Sequence, residues 1–216
     1  MKRLVVCIAG VFAAAIAGPT SALADHSVSQ AVFSSKSPFM RVFGPSQPPY
    51  GFVRFCESHQ TDCAPQRIED VRFQPTPERL SELDEVNRWA NHAIQPATDQ
   101  EIYGVSEFWT YPTDRGDCED YALLKQKMLL ARGWPKSSLL LTVVRDEKGE
   151  GHAVLTARTA QGDFVLDNKV DDVRLWNASG YYFIMRQSYL DPRVWVSLDA
   201  NDRSVPDAIA GVREGQ

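Results

Sequence analysis

Between residues 116 and 187 the hydrophobic period of the chain changes once, from helical to strand spacing, and that change limits what it can fold into. Tyr121, Leu124 and Met128 recur at helical intervals, Leu123 and Leu130 widen the apolar face, and Gly133 then Pro135 end the run. From Ser138 to Arg145 the chain becomes apolar and β-branched, Leu-Leu-Leu-Thr-Val-Val, and reads as a buried strand. Turns at 146–151 and 159–163 lead into returning strands at His152–Arg158 and Phe164–Asp167, and Gly180–Gln187 reads as a fourth. Successive hairpins imply an antiparallel sheet, and the preceding helix must bury its apolar face on it. The expected class is α+β, with this helix packed on an antiparallel β-sheet.

The start of the chain reads differently. Lys2 and Arg3 precede an apolar run from Leu4 to Ala17, and Ala22-Leu23-Ala24 supplies a small-residue cleavage site, so residues 1–24 read as a secretory signal peptide. The mature chain then begins at Asp25 and is exported, with no stretch long enough to span a bilayer. Losing Lys2 and Arg3, and no acids, takes the formal charge from −5 to −7. An acidic chain without basic clusters gives no reason to expect nucleic acid or an anionic membrane as partner.

Residues 25–49, rich in Ser, Pro and Phe, read as an extended lead-in, and 50–200 as one domain followed by a polar tail at 201–216. Short strands are expected at Gly51–Cys56 and Ile68–Phe73. Thr76-Pro77-Glu78 is a helix start, after which Leu80, Leu83, Val86, Ala90, Ala93 and Ile94 share one face until Pro96. His92 near its end reads as a dipole-compatible terminal residue in preference to a catalytic one. From Thr98 to Gly116 the chain is aromatic and irregular, a long loop in which Trp109 is the residue best placed both to pack and to line a cleft.

Four cysteines sharpen the reading. Cys7 leaves with the leader, and in an oxidising compartment Cys56 and Cys63 can close a short loop as a disulfide. A zinc site at Cys56, Cys63 and His59 is the rival, though the spacing matches no common zinc pattern. Cys118 is left unpaired. It sits in the first turn of the helix, where unpaired N–H groups stabilise a thiolate and can bind an oxyanion. A buried structural thiol is the alternative. Adjacent antiparallel strands can bring His152 and Asp167 side by side, both reaching toward that helix end. A nucleophilic cysteine needs such a histidine to take its proton, and a third group to hold the ring.

The stretches Gly-Asp-Cys118-Glu-Asp-Tyr-Ala, Gly-His152-Ala-Val-Leu and Asp-Phe-Val-Leu-Asp167-Asn resemble the bacterial transglutaminase-like cysteine peptidases of the LapG type, over roughly residues 50–200. The resemblance implies a papain-like, transglutaminase-type core with Cys118, His152 and Asp167 as catalytic triad and a periplasmic location. It implies a protein substrate, an inner-membrane regulatory receptor as partner, no organic cofactor, and calcium on the acids flanking the nucleophile, here Asp117 and Glu119. Two carboxylates beside a helix start do suit a hard cation, but they also stabilise that end unaided, and Asp117 can simply be its N-cap. Hydrolysis of the thioester makes the chain an endopeptidase; its resolution by an amine makes a transglutaminase; an inactive fold makes a calcium-dependent binding module. The glutamine that papain-type enzymes carry six positions before the cysteine is replaced by Pro112, so no second oxyanion donor is identified.

Overall fold

A computed structural model describes residues 37–65 and 72–201. The stretch 1–24 read as a signal peptide, most of the strand expected at Ile68–Phe73 and nearly all of the tail read as polar lie outside the described residues. In chain order the elements are β1 (Gly44–Ser46), α1 (Tyr50–Ser58), α2 (Pro77–Ala93), β2 (Gln95–Pro96), α3 (Asp99–Ile102) and β3 (Arg115–Gly116). They continue with α4 (Cys118–Ala131), β4 (Leu139–Arg145), β5 (Gly151–Thr159), β6 (Gly162–Asp167), β7 (Val170–Leu175), β8 (Tyr182–Gln187) and β9 (Trp195–Ser197).

Seven strands form one sheet in the order β1-β9-β8-β4-β5-β6-β7, every neighbouring pair antiparallel. The β4–β5 hairpin at its centre is covered on both faces. Leu139, Leu141, Leu155, Ala157 and Leu166 meet Leu123, Leu129 and Trp134 on one side. Val144, Val154, Val165 and Phe183 lie with Met40 and Leu198 on the other. Two-sided burial explains why β4 reads as an unbroken apolar run instead of an alternating one. The architecture is the expected α+β arrangement of the cysteine helix on an antiparallel sheet.

Helix α4 is buried on two sides. Ala122, Leu123 and Leu129 enter the main core, while Tyr121 and Leu124 pack with Ala90 and Ile94 of the α2 region. Burying each such leucine contributes about 2–3 kcal/mol. Helix α2 starts as expected, the Thr76 hydroxyl accepting from the Arg79 amide at 3.3 Å. Leu83, Val86 and Ala90 are buried along it, although Ala93, expected on the same face, is exposed.

Three stretches depart from expectation. Residues 51–56, expected as a strand, are helical, because a helix places Phe52 and Phe55 on one face and a strand would set them on opposite faces. Phe52 then meets Trp109 and Trp195 with ring centroids 5.8 and 5.3 Å away, while Arg54 and Glu57 pair on the solvent side at 3.2 Å. The expected loop at 98–116 contains α3, held by a reciprocal capping box between Thr98 and Glu101, and β3, which pairs in parallel with β2. Strand β7 carries Asp171, Asp172 and Arg174, the charged pattern of an edge strand, which hides it from a search for apolar alternation.

Cys56 and Cys63 form a disulfide with their Cα atoms 5.6 Å apart, which removes the zinc reading. His59 stacks on the Phe55 ring, centroids 4.2 Å apart, and its Nδ1 bonds the Phe55 carbonyl oxygen at 3.1 Å.

Helix α1 approaches the core through a glycine. A Cβ on Gly51 would lie 2.3 Å from Trp109 Cδ1 and 2.8 Å from Glu107 Cγ. Gly51→Ala is therefore expected to destabilise the fold by about 1–3 kcal/mol through overpacking, read as a lowered denaturation midpoint. An unchanged midpoint would mean that α1 is not seated against Trp109.

Candidate active site

The N-terminus of α4, the start of β5 and the β6–β7 turn meet at one end of the sheet. They border a cleft of about 330 Å³ lined by Gly116, Asp117, Cys118, Gly151, His152, Asn168 and Lys169, with Pro96, Ala97, Thr98 and Glu101 opposite. Hairpin geometry sets the histidine beside its carboxylate. Leu155 pairs with Leu166, so the register carried one step further sets Asp167 opposite Val154, diagonal to His152 and on the same face. His152 Nε2 lies 2.8 Å from Asp167 Oδ1, and both side chains are almost fully buried.

Asp167 is met by three donors. The Tyr181 hydroxyl donates to Oδ2 at 2.5 Å and the Lys169 amide to Oδ1 at 3.0 Å, in addition to His152. Burial pushes its carboxyl up, but the bond from His152 and then those from Lys169 and Tyr181 outweigh it and leave the group below the ordinary aspartate value. The Asn91 amide holds the Asp167 backbone carbonyl at 3.0 Å. The Tyr181 ring stands edge-on to His152, centroids 5.7 Å apart. With Nε2 committed to Asp167, Nδ1 is the nitrogen through which His152 can exchange a proton.

Cys118 is the first residue of α4, partly buried, and accepts a hydrogen bond on Sγ from the Ala153 amide at 3.3 Å. Its thiol donates to Glu119 Oε2 at 3.1 Å. Burial, and then the Glu119 carboxylate, hold the thiol well above its ordinary value. A helix N-terminus alone would do the reverse, so in this arrangement burial, and then the neighbouring acids, outweigh the helix.

Asp117 occupies the N-cap position but makes no side-chain cap bond; its Oδ2 accepts from the Asp99 amide at 3.2 Å. It is therefore not there to cap the helix. Asp99, Asp117 and Glu119 each direct a carboxylate oxygen to one point, the three oxygens within 4.8 Å of one another. Burial raises all three groups, Asp99 to about 6. Asp99 Oδ1 and Asp117 Oδ1 are buried with no hydrogen-bond partner. Oxygens bound to one calcium ion at about 2.4 Å lie at most about 4.8 Å apart, so the set fits a hard divalent cation in number, chemistry and spacing. Asp120, also fully buried, accepts from the Thr110 amide at 2.9 Å and is raised to about 8, chiefly by burial.

The structure thus brings Cys118 and His152 to one cleft, with Asp167 hydrogen-bonded to His152, and Asp117 and Glu119 to one acidic cluster. His92, in contrast, pairs with Asp171 at 3.1 Å on the surface, and Trp109 is core. Asp99, Tyr181 and Asn91 were not visible as site residues. Only Asp99 left a trace, since Thr98-x-x-Glu101 is a readable capping box that marks a helix start directly ahead of the cysteine.

A cysteine at a helix N-terminus facing a histidine–aspartate pair on adjacent antiparallel strands is the layout of the papain and transglutaminase class of α+β proteins. Residues 42–203 match the family of bacterial transglutaminase-like cysteine proteinases, and the chain belongs to it. Among solved structures it is similar to Legionella pneumophila LapG in EGTA-treated form, with 26% identity and a TM-score of 0.45 over 52% of this chain and 64% of that one. The same protein's further structure gives 25% identity and a TM-score of 0.47 over 57% and 71%; its calcium-bound form gives 23% and 0.48 over 61% and 76%. The match to the EGTA-treated form thus spans less than two thirds of that protein's chain. No curated protein matches.

The Asp167 donors set a pH dependence. A carboxylate below its ordinary value when folded contributes stability that is present above about pH 4 and is lost as pH falls further. Tyr181→Phe removes one donor and is expected to cost about 1.5–3 kcal/mol at neutral pH, the scale of a hydrogen bond to a charged acceptor. The difference from wild type in thermal midpoint should hold from about pH 7 to about pH 5 and narrow toward about pH 3. A difference that persists in acid would assign Tyr181 to packing.

Proposed function

We propose that this protein is an exported, periplasmic cysteine endopeptidase that cuts a protein substrate through a thioester acyl-enzyme on Cys118. The observation that carries the reading is that His152, hydrogen-bonded to buried Asp167, borders the same cleft as the one cysteine without a disulfide among the described residues. Export rests on the signal peptide read from residues 1–24.

In this reading His152 accepts the Cys118 proton through Nδ1, while Asp167, ionised and triply hydrogen-bonded, holds the ring and stabilises the imidazolium. Cys118 Sγ adds to the scissile carbonyl, and the backbone N–H at the start of α4 faces the oxygen that takes the charge. The imidazolium gives its proton to the leaving amine as the C–N bond breaks. Water, deprotonated by His152, then cleaves the thioester and returns the thiol. Asp99, Asp117 and Glu119 would hold a calcium ion, whose positive charge would offset the acids that, after burial, hold the thiol above its ordinary value. The family to which the chain belongs favours water over an amine in the last step.

Two outcomes test this. Cys118→Ala and His152→Ala should each abolish cleavage of an unfolded protein such as casein, or hydrolysis of an activated ester. Cys118→Ala should keep a thermal midpoint close to wild type, and His152→Ala should stay folded with a lowered one, because it takes a donor from buried Asp167. Substantial residual turnover in either removes the triad. Calcium at a hundredfold excess over its Kd should add about 2.7 kcal/mol of stability, so a chelator should lower the midpoint and the activity together. Asp117→Ala should make the protein indifferent to both calcium and chelator, and no response of the wild-type protein to either would discard the site.

A further inference from the structure

Strand β5 has an edge that the chemistry above leaves open. The last recorded pair between β5 and β6 is Leu155 with Leu166, and after Asp167 the chain turns away into β7. Among the described residues, 151–153 of β5 therefore have a neighbouring strand only on the β4 side. The direction of their main-chain groups follows from the β4–β5 hairpin. The Asp146 amide donates to the Glu150 carbonyl at 3.0 Å, so the next pair outward, Arg145 and Gly151, is of the non-hydrogen-bonded kind. Gly151 and, two residues on, Ala153 thus direct N–H and C=O away from β4. The Ala153 amide shows what lies on that side, since it donates to Cys118 Sγ at 3.3 Å.

Gly151 borders the cleft with Cys118 and His152 and is exposed. A Cβ built on it would meet nothing within 4 Å, so the space beside it is open. Among the described residues its N–H and C=O meet no partner. Polar side chains around it are already engaged: Thr98 with Glu101, Lys169 with Asp146, and His152 with Asp167. An unpaired strand edge is a template for one more strand. We propose that the substrate enters the cleft as an extended segment that adds to the sheet beside β5, exchanging main-chain hydrogen bonds with Gly151 where β6 has ended.

Added strands turn alternate residues toward their template and the others away. Gly151 and Ala153 lie about 7 Å apart along β5, so a segment held at Gly151 reaches Sγ beside Ala153 within one two-residue repeat. The substrate class is then an unfolded or linker segment of a protein. A helix has no free main-chain groups to offer there, and a proline facing Gly151 has no N–H to donate.

The inference rests on the peptidase reading of the site, and the experiment separates the two. Calcium-saturated wild type would be acylated by a blocked tetra-alanine p-nitrophenyl ester and by its four singly N-methylated forms, each burst rate divided by the rate with free cysteine. The probe carries its own leaving group, so no natural cleavage sequence is needed. N-methylation should slow acylation about tenfold where the N–H faces Gly151, the upper end of one net hydrogen bond. The residues on either side, whose N–H points away, should stay within about twofold. Equal rates for all five esters, or equal losses at adjacent positions, overturn the proposal. So does a Cys118-dependent burst from p-nitrophenyl acetate with none from the tetra-alanine ester. Absence of a Cys118-dependent burst from either sinks the peptidase reading. Hydrogen exchange of the Gly151 amide in Cys118→Ala, followed by NMR with and without excess casein, then decides strand addition: slowed exchange supports it and unchanged exchange overturns it.

Discussion

Carboxylates taken out of water at one end of a helix are the constraint on which this structure turns. A buried ionised carboxylate is tolerated only with opposite charge or several donors beside it. The site holds two such demands at one end of the sheet. Asp167 is answered from within the protein, by His152, Tyr181 and the Lys169 amide. Asp99, Asp117 and Glu119 are not: two of their oxygens are buried without a donor, and all three groups are driven toward the protonated state. In the proposed reading the first arrangement makes a base of His152. The second fits a cation from outside, and the Cys118 thiol, bonded to Glu119, is held above its ordinary value by burial and then by that acid.

The fold supplies both arrangements from one junction. The two-sided burial of the β4–β5 hairpin fixes its register, because a slip of one residue would exchange its two apolar faces. With β6 in register beside it, His152 and Asp167 become diagonal neighbours without any special loop. Helix α4, wedged between the sheet and α2, brings its first residue to the same edge, and the Ala153 amide next to His152 bonds Cys118 Sγ directly. The short helix α3 adds Asp99, tied to the cysteine helix by the β2–β3 pair and the Asp117 carboxylate.

Much of this was legible in the sequence where local pattern and tertiary role coincide. The period of α4, the apolar runs of β4 and β5, the Cys56–Cys63 spacing and the order of cysteine, histidine and aspartate each depend on residues near one another in the chain. What was hidden depends on packing between distant segments. Residues 51–56 fold as a helix because Phe52 finds Trp109 and Trp195. Strand β7 is an edge and carries charge where a pattern search seeks alternation. Tyr181 reaches Asp167 across a turn of the sheet, and Asp99 joins the acids through an 18-residue excursion of the chain.

The central claim is that Cys118 is a nucleophile driven by His152. Its most direct test is intact-protein mass spectrometry of the non-reduced protein, calcium-saturated, through a time course of iodoacetamide treatment, for wild type beside His152→Ala. A single adduct at Cys118 is expected, forming at least about tenfold faster in wild type, the lower part of the range for a histidine acting as base, with Cys56 and Cys63 linked and unlabelled. Equal rates in the two proteins, or labelling of Cys56 and Cys63 in place of Cys118, would contradict it.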